Sequence, residues 1–174
     1  MKLAGRFMNT TYDAQIKDAI KTYLPETGWR LLKAQLTQES HLNPAATSPA
    51  GAQGIAQFMP KTWQDMQKEL SIPQEITPYD ESYAIPAAAY YMQKLCKSWS
   101  APREEADRYI LALASYNAGF GNILKAQALA NNAPEYYPII SKLEHITGLS
   151  NSLETKHYVI NILKIFSEYL TKGR

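Results

Sequence analysis

Residues 26–44 read ETGWRLLKAQLTQESHLNP, and their spacing decides the kind of fold this chain adopts. Trp29, Leu32 and Leu36 recur at i, i+3 and i+7, which puts them on one stripe of a helix. The spacing predicts a helix from about Glu26 to Ser40. Glu39 takes the next position in the series, so a carboxyl group continues the apolar face. Withdrawal from water penalises the charged form of such a group and favours an acid that keeps its proton near neutral pH. Taken alone, the spacing favours a helix-end Glu that swings to solvent or pairs with a Lys.

The same period recurs further along the chain. Trp63, Met66 and Leu70 form one stripe, and Val159, Ile162, Leu163 and Phe166 another. Breaks fall at Leu24-Pro25, in the Pro-, Ser-, Ala- and Gly-rich stretch Asn43 to Gly54, and at Ile72-Pro73, Thr77-Pro78, Ala101-Pro102, Gly119, Gly121, Ala133-Pro134 and Gly148. Six to eight helices are expected. Alternation of strand type is confined to a short run around Gly54 to Phe58, so the class is mainly α with at most a short hairpin. No gap is long enough to be an interdomain linker, and 45% hydrophobic residues in 174 can fill one core, so a single domain over 1–174 is expected.

Composition narrows the partners. The formal charge is only +2 and the Lys and Arg residues are scattered, so the chain lacks the basic stripe that tracks nucleic-acid phosphates. Cys96 is the sole cysteine, which rules out an intrachain disulfide, and its setting between Tyr90 and Trp99 reads as a structural thiol. Met1 to Tyr12 carries Lys2 and Arg6 without the apolar run of a secretory signal, and no later segment is suited to crossing a bilayer. Synthesis in the cytoplasm without stable membrane insertion is expected. His41, His145 and His157 lack metal-ligand spacing, so neither metal nor cofactor is expected.

Three constellations carry chemistry. In the first, Ser40-His41-Leu42-Asn43-Pro44 leads through Ser48 to Gly51-Ala52-Gln53-Gly54-Ile55-Ala56-Gln57-Phe58-Met59-Pro60. Its two glycines allow close backbone approach to the chain itself or to a ligand. Ser48, Gln53 and Gln57 offer uncharged donors and acceptors suited to sugar hydroxyls and acetamido groups, while Phe58, Met59 and Trp63 offer faces for a pyranose ring. A turn-rich loop whose amides satisfy its own backbone fits the same composition. The second is Ser115-Tyr116-Asn117-Ala118-Gly119 at the end of a helix starting near Arg103, where Tyr116 and Asn117 can point into a cleft or serve as a core Tyr and a capping Asn. The third places Glu154 and Tyr158 on one helical face, with Glu154 alternatively a first-turn charge that stabilises the helix dipole.

Together and in this order, these motifs resemble the catalytic domain of the soluble lytic transglycosylase family, a relative of goose-type lysozyme. The resemblance covers roughly Ala34 to Phe166. It implies a lysozyme-like, mostly helical domain whose cleft binds glycan strands of alternating N-acetylglucosamine and N-acetylmuramic acid. It also implies Glu39 as catalytic acid and base, with Ser48, Gln57 and Met59 lining the sugar cleft. Tyr116 would orient Glu39, Asn117 would lie beside it, and Glu154 would contact sugar. The chain departs from the pattern at Ile55-Ala56, where the family usually shows Leu-Met or Met-Met. It departs again at Tyr83 to Ala89, and the stretch from Asn131 to Ser152 is long enough for a lid or an extra helix.

The implied activity is a peptidoglycan lytic transglycosylase forming 1,6-anhydro-N-acetylmuramic acid. Hydrolysis by a muramidase on the same scaffold would need a second carboxylate, for which Asp65 is the candidate. An inactive glycan-binding or virion structural module is the alternative outside enzymology. Small size and the N-terminal reading suggest a bacteriophage enzyme, acting as a monomer and reaching the cell wall through a holin or in the virion. A bacterial enzyme without its leader is the other source.

Overall fold

The computed structural model describes residues 9–172, so part of the N-terminal reading lies outside the described residues. The chain partitions into two compact units. One comprises the chain up to Tyr91 together with the stretch from Ile162 onward, and the other is Met92–Asn161. Among the described residues there are nine helices: α1 (Asp13–Tyr23), α2 (Trp29–Ser40), α3 (Pro60–Leu70), α4 (Glu81–Ser98), α5 (Glu105–Ala118), α6 (Phe120–Leu129), α7 (Tyr136–Ile140), α8 (Glu144–Thr147) and α9 (Leu149–Lys172). The expected count of six to eight is exceeded because α7 and α8, each little more than one turn, fill the long stretch after Asn131.

In the first unit, α2 packs on α1. Leu32 and Leu36 are buried as the stripe predicts, and they join a core with Ile16, Ile20, Ile55, Phe58, Trp63, Met66 and Ile85. Trp29 is half-buried at the helix start, which lies at Trp29 rather than Glu26 because Gly28 is in an extended conformation. Polar residues also enter this interior. Lys33 is 3% exposed, and its ammonium lies 2.6 Å from the Asp13 carboxylate of α1. Thr37, one turn later, shares a 2.8 Å hydrogen bond with the Tyr169 hydroxyl near the end of α9.

In the second unit, α5 packs on α6 and α7, and α6 packs on α7 and α8. Trp99 is buried; its indole N–H donates to Ser115 Oγ at 3.1 Å and its ring meets Phe120 edge-on. Gly119 ends α5 with φ 86°, as its position in the sequence suggests. Cys96 is half-buried, and desolvation raises its thiol pKa to about 11, which suits a structural rather than a nucleophilic thiol. No described helix is long and apolar enough to cross a membrane.

Candidate active site

The seven residues singled out divide between the units: Glu39, Ser48, Gln57 and Met59 belong to the first, and Tyr116, Asn117 and Glu154 to the second. Each group is assembled within its own unit.

Glu39 is half-buried in the last turn of α2. The macrodipole there presents its negative end, the opposite of an environment that stabilises an anion. Just beyond, His41 and Leu42 both adopt left-handed backbone, φ 57° and 61°, and turn the chain sharply off the helix. Non-glycine residues reach this region at a cost of about 1–3 kcal/mol each, and such strain clusters at functional sites. Ser40 fixes the turn. Its Oγ accepts from Asn43 N–H at 3.1 Å and donates to the Ile55 carbonyl at 2.8 Å, joining the helix end to the glycine-bearing loop.

That loop is laced by its own polar groups. Gln53 and Phe58 exchange two backbone hydrogen bonds of 3.0 Å, and isolated antiparallel bridges pair Thr47 with Gln53 and Gln53 with Phe58. The loop thus holds single-residue bridges, within the expectation of at most a short hairpin. Gly54 has φ 77°, and a Cβ built on it would lie 1.8 Å from the Pro78 carbonyl oxygen, so glycine is required on both counts. Ser48 Oγ accepts from Ala52 N–H at 3.0 Å and closes the turn around Gly51.

Two expectations for this loop change because of which atoms are already engaged. Gln57, itself left-handed at φ 50°, donates its side-chain amide to the Ala46 and Gly54 carbonyls at 3.3 and 2.9 Å. What it can offer a ligand is thus its carbonyl, an acceptor. Phe58 and Trp63 are 2% and 4% exposed and tilt against one another at 5.4 Å, so they support the loop from beneath and cannot present faces to a sugar. Met59, at the cap of α3, is 44% exposed and is the apolar surface left available here. Asp65 is taken by Lys61, whose ammonium reaches both carboxylate oxygens at 2.9 and 3.1 Å on an exposed turn of α3.

In the second unit, Tyr116 is half-buried and Asn117 exposed in the last turn of α5. Asn117 Oδ1 accepts from Thr155 Oγ1 at 2.7 Å, which sets the amide against α9. Glu154 is exposed and lies six residues into α9, in its second turn; the first turn has no acidic residue. Dipole stabilisation from the first turn is therefore not its role, because the helix begins at Leu149, earlier than the Leu153–Val159 motif suggests. Asn117, Asn122, Thr147, Asn151, Glu154 and Thr155 line a pocket of about 210 Å³. Asn122, Thr147 and Asn151 were not singled out in the sequence, and Ser40 was read within its motif without a role of its own. Ser40 carries a signal in the Ser40-x-x-Asn43 spacing of a side-chain-bonded turn, whereas the other three carry none.

The transglycosylase SLT domain family model matches residues 18–138. Over 179 residues the chain is 29% identical to the membrane-bound lytic murein transglycosylase F of Hahella chejuensis, an alignment covering 90% of this chain and 34% of that protein. The 70 kDa soluble lytic transglycosylase of Escherichia coli has a similar structure, with a TM-score of 0.66 at 26% identity over 88% of this chain and 24% of that one. A complex of the 70 kDa soluble lytic transglycosylase with bulgecin A gives a TM-score of 0.70 at 26% identity, covering 94% and 24% of the two chains. The chain thus spans about a third of the curated relative's length.

Proposed function

This chain belongs to the transglycosylase SLT domain family, with its mainly helical, lysozyme-like fold, and from that membership we propose that it is a peptidoglycan lytic transglycosylase. Its substrate is the β-1,4 bond between N-acetylmuramic acid and N-acetylglucosamine. The observation that carries the reading is Glu39, a half-buried carboxyl at the negative end of α2, followed at once by the strained His41-Leu42 turn.

The chemistry follows from one carboxyl group. Protonated Glu39 donates to the glycosidic oxygen as the bond from C1 of the muramic residue breaks through an oxocarbenium-like state. The resulting carboxylate takes the proton of the C6 hydroxyl of that residue, and the C6 oxygen bonds to C1 to close a 1,6-anhydro ring. Glu39 ends protonated, and water is neither consumed nor released. Ser48, Gln57 and Met59 bind the glycan on the first unit, Gln57 through its carbonyl. Tyr116, Asn117 and Glu154 are the glycan-contacting residues of the second. The occupation of Asp65 by Lys61 on an exposed helix turn supports this one-carboxyl route over hydrolysis.

The proposal extends to a monomer of bacteriophage origin that reaches the wall by holin release or as a virion component. Digestion of purified sacculi tests the chemistry. Muropeptides released with anhydro-muramic ends, one water lighter than reducing ends, are the expected products by mass spectrometry. Reducing ends would mean a muramidase, and no release a binding module.

A further inference from the structure

The pocket at the end of α5 and the start of α9 has an unusual balance of hydrogen-bonding capacity. Asn122 donates its amide to the Ala118 carbonyl at 2.8 Å, and Asn151 donates to the Thr147 carbonyl at 3.0 Å. A main-chain carbonyl can only accept, so each of these bonds takes one of the two amide hydrogens and fixes the amide with Oδ1 as its unengaged acceptor and one N–H to spare. The threonines are engaged in the same sense. Thr147 Oγ1 donates to the Leu143 carbonyl, and the single proton of Thr155 Oγ1 is shared between Asn117 Oδ1 at 2.7 Å and the Asn151 carbonyl at 3.0 Å, so only their lone pairs remain. The side-chain donors left in the lining are the amide hydrogens of Asn117 and one each of Asn122 and Asn151, fewer than the lone pairs offered by the two Oδ1 atoms, the two threonine hydroxyls and the Glu154 carboxylate.

Charge follows the same direction. Glu154 is the single ionisable group of the lining and makes no hydrogen bond or ion pair with the described residues. The last residue of α5, Ala118, brings the negative end of that 14-residue helix to the pocket. The positive end of α9 at Leu149 works against it, but Glu154 in the second turn of α9 brings a carboxylate to the lining. A pocket rich in acceptors, with one carboxylate and no cation, is complementary to a compact group that donates several hydrogen bonds and carries positive charge.

We propose that this pocket binds a primary ammonium group of the wall polymer, with Glu154 as counter-charge and the Asn122 and Asn151 carbonyls as acceptors. The assignment rests on peptidoglycan being the substrate. Two parts of such a polymer carry this chemistry: the side-chain amine of a dibasic residue in a stem peptide, and the 2-amino group of a glucosamine that lacks its acetyl.

The test uses the whole chain, labelled with nitrogen-15, and follows the side-chain amide resonances of Asn117, Asn122 and Asn151. The probes are Nα-acetyl-lysine amide and methyl glucosaminide, each beside its N-acetylated counterpart. Saturable shifts with one amine, absent with its acetylated form and lost in Asn151→Lys, are expected, and the amine that binds identifies the source. Asn151 is exposed, so this variant is expected to fold, which circular dichroism checks. Asn122→Asp, which adds a second carboxylate, is expected to tighten binding about three- to five-fold. Equal behaviour of amines and acetylated controls overturns the assignment.

A cleavage arm compares native sacculi with sacculi whose amines have been acetylated. KM is expected to rise about five-fold on acetylation for the wild type and to stay level for Asn151→Lys. Cleavage indifferent to acetylation overturns the ammonium site and leaves the transglycosylase intact. Amine binding without cleavage of either substrate supports the site and overturns the activity.

Discussion

The hydroxyl of Ser40 donates to the carbonyl of Ile55 at 2.8 Å, so the residue next to Glu39 holds the end of α2 against the loop that carries Gln57. Ser40→Ala removes that bond and the acceptor for Asn43 N–H. A stability loss of about 1 kcal/mol is expected in urea denaturation. Because the loss loosens the turn beside the acid, kcat on sacculi is expected to fall more than KM rises.

Glu39→Gln keeps the size and polarity of the side chain but cannot donate and retake a proton. The variant is expected to fold like the wild type by circular dichroism, while turnover falls by about 10²–10⁴-fold or more. Release of anhydro-muropeptides at the wild-type rate would refute the role given to Glu39.

Gly54 and Gly51 separate two reasons for glycine. At Gly54 a methyl group would overlap the Pro78 carbonyl, whereas at Gly51, φ 89°, nothing lies within 4 Å. Gly51→Ala is expected to cost about 1 kcal/mol from backbone strain alone, and Gly54→Ala more than about 3 kcal/mol. Thermal denaturation of the pair checks the order.

Lys33 has its ammonium 2.6 Å from Asp13 and 5.1 Å from the centre of the Tyr169 ring. Asp13→Ala leaves that cation buried without its counter-charge, and a loss of about 3 kcal/mol is expected. In the double variant with Lys33→Met most of this loss is recovered, since no buried charge remains. Additive losses in a double-mutant cycle would show that the pair does not act as a unit.

Cys96 links stability to pH. Its thiol is raised to about 11 in the folded chain from an ordinary value of 9.0. Between those values the unfolded chain releases a proton that the folded chain keeps. Its contribution to stability is therefore complete below the ordinary value and is lost as pH rises through the folded one. Denaturation midpoints at pH 8 and pH 10.5 are expected to drop more steeply for the wild type than for Cys96→Ala. Alkylation of the native thiol is expected to be slow at neutral pH and to accelerate toward that upper value.

Much of the fold was legible along the chain because helical faces repeat over a few residues. The stripe through Leu32 and Leu36, the stop at Gly119 and the chain breaks at proline all appear in the structure. The ordered motifs were likewise enough to indicate the family, since each occupies a short contiguous stretch. Lys33 and Thr37 were not read as buried polar residues, although they lie one helical turn apart. Their burial depends on Asp13 and Tyr169, which are remote in sequence.

The availability of individual polar atoms was decided only by tertiary structure. Composition made Gln57 a general donor and acceptor, but the left-handed turns bring the Ala46 and Gly54 carbonyls to its amide and leave only its carbonyl outward. Phe58 and Trp63 read as sugar platforms until the core closed over them. In the same way, the acceptor-rich pocket exists because Asn122 and Asn151 each bond a carbonyl four residues back. Sequence determines which chemical groups a segment carries and which helical face they share. A hydrogen-bonding group once engaged by the backbone is no longer offered to a ligand, and only the folded chain decides which groups are engaged.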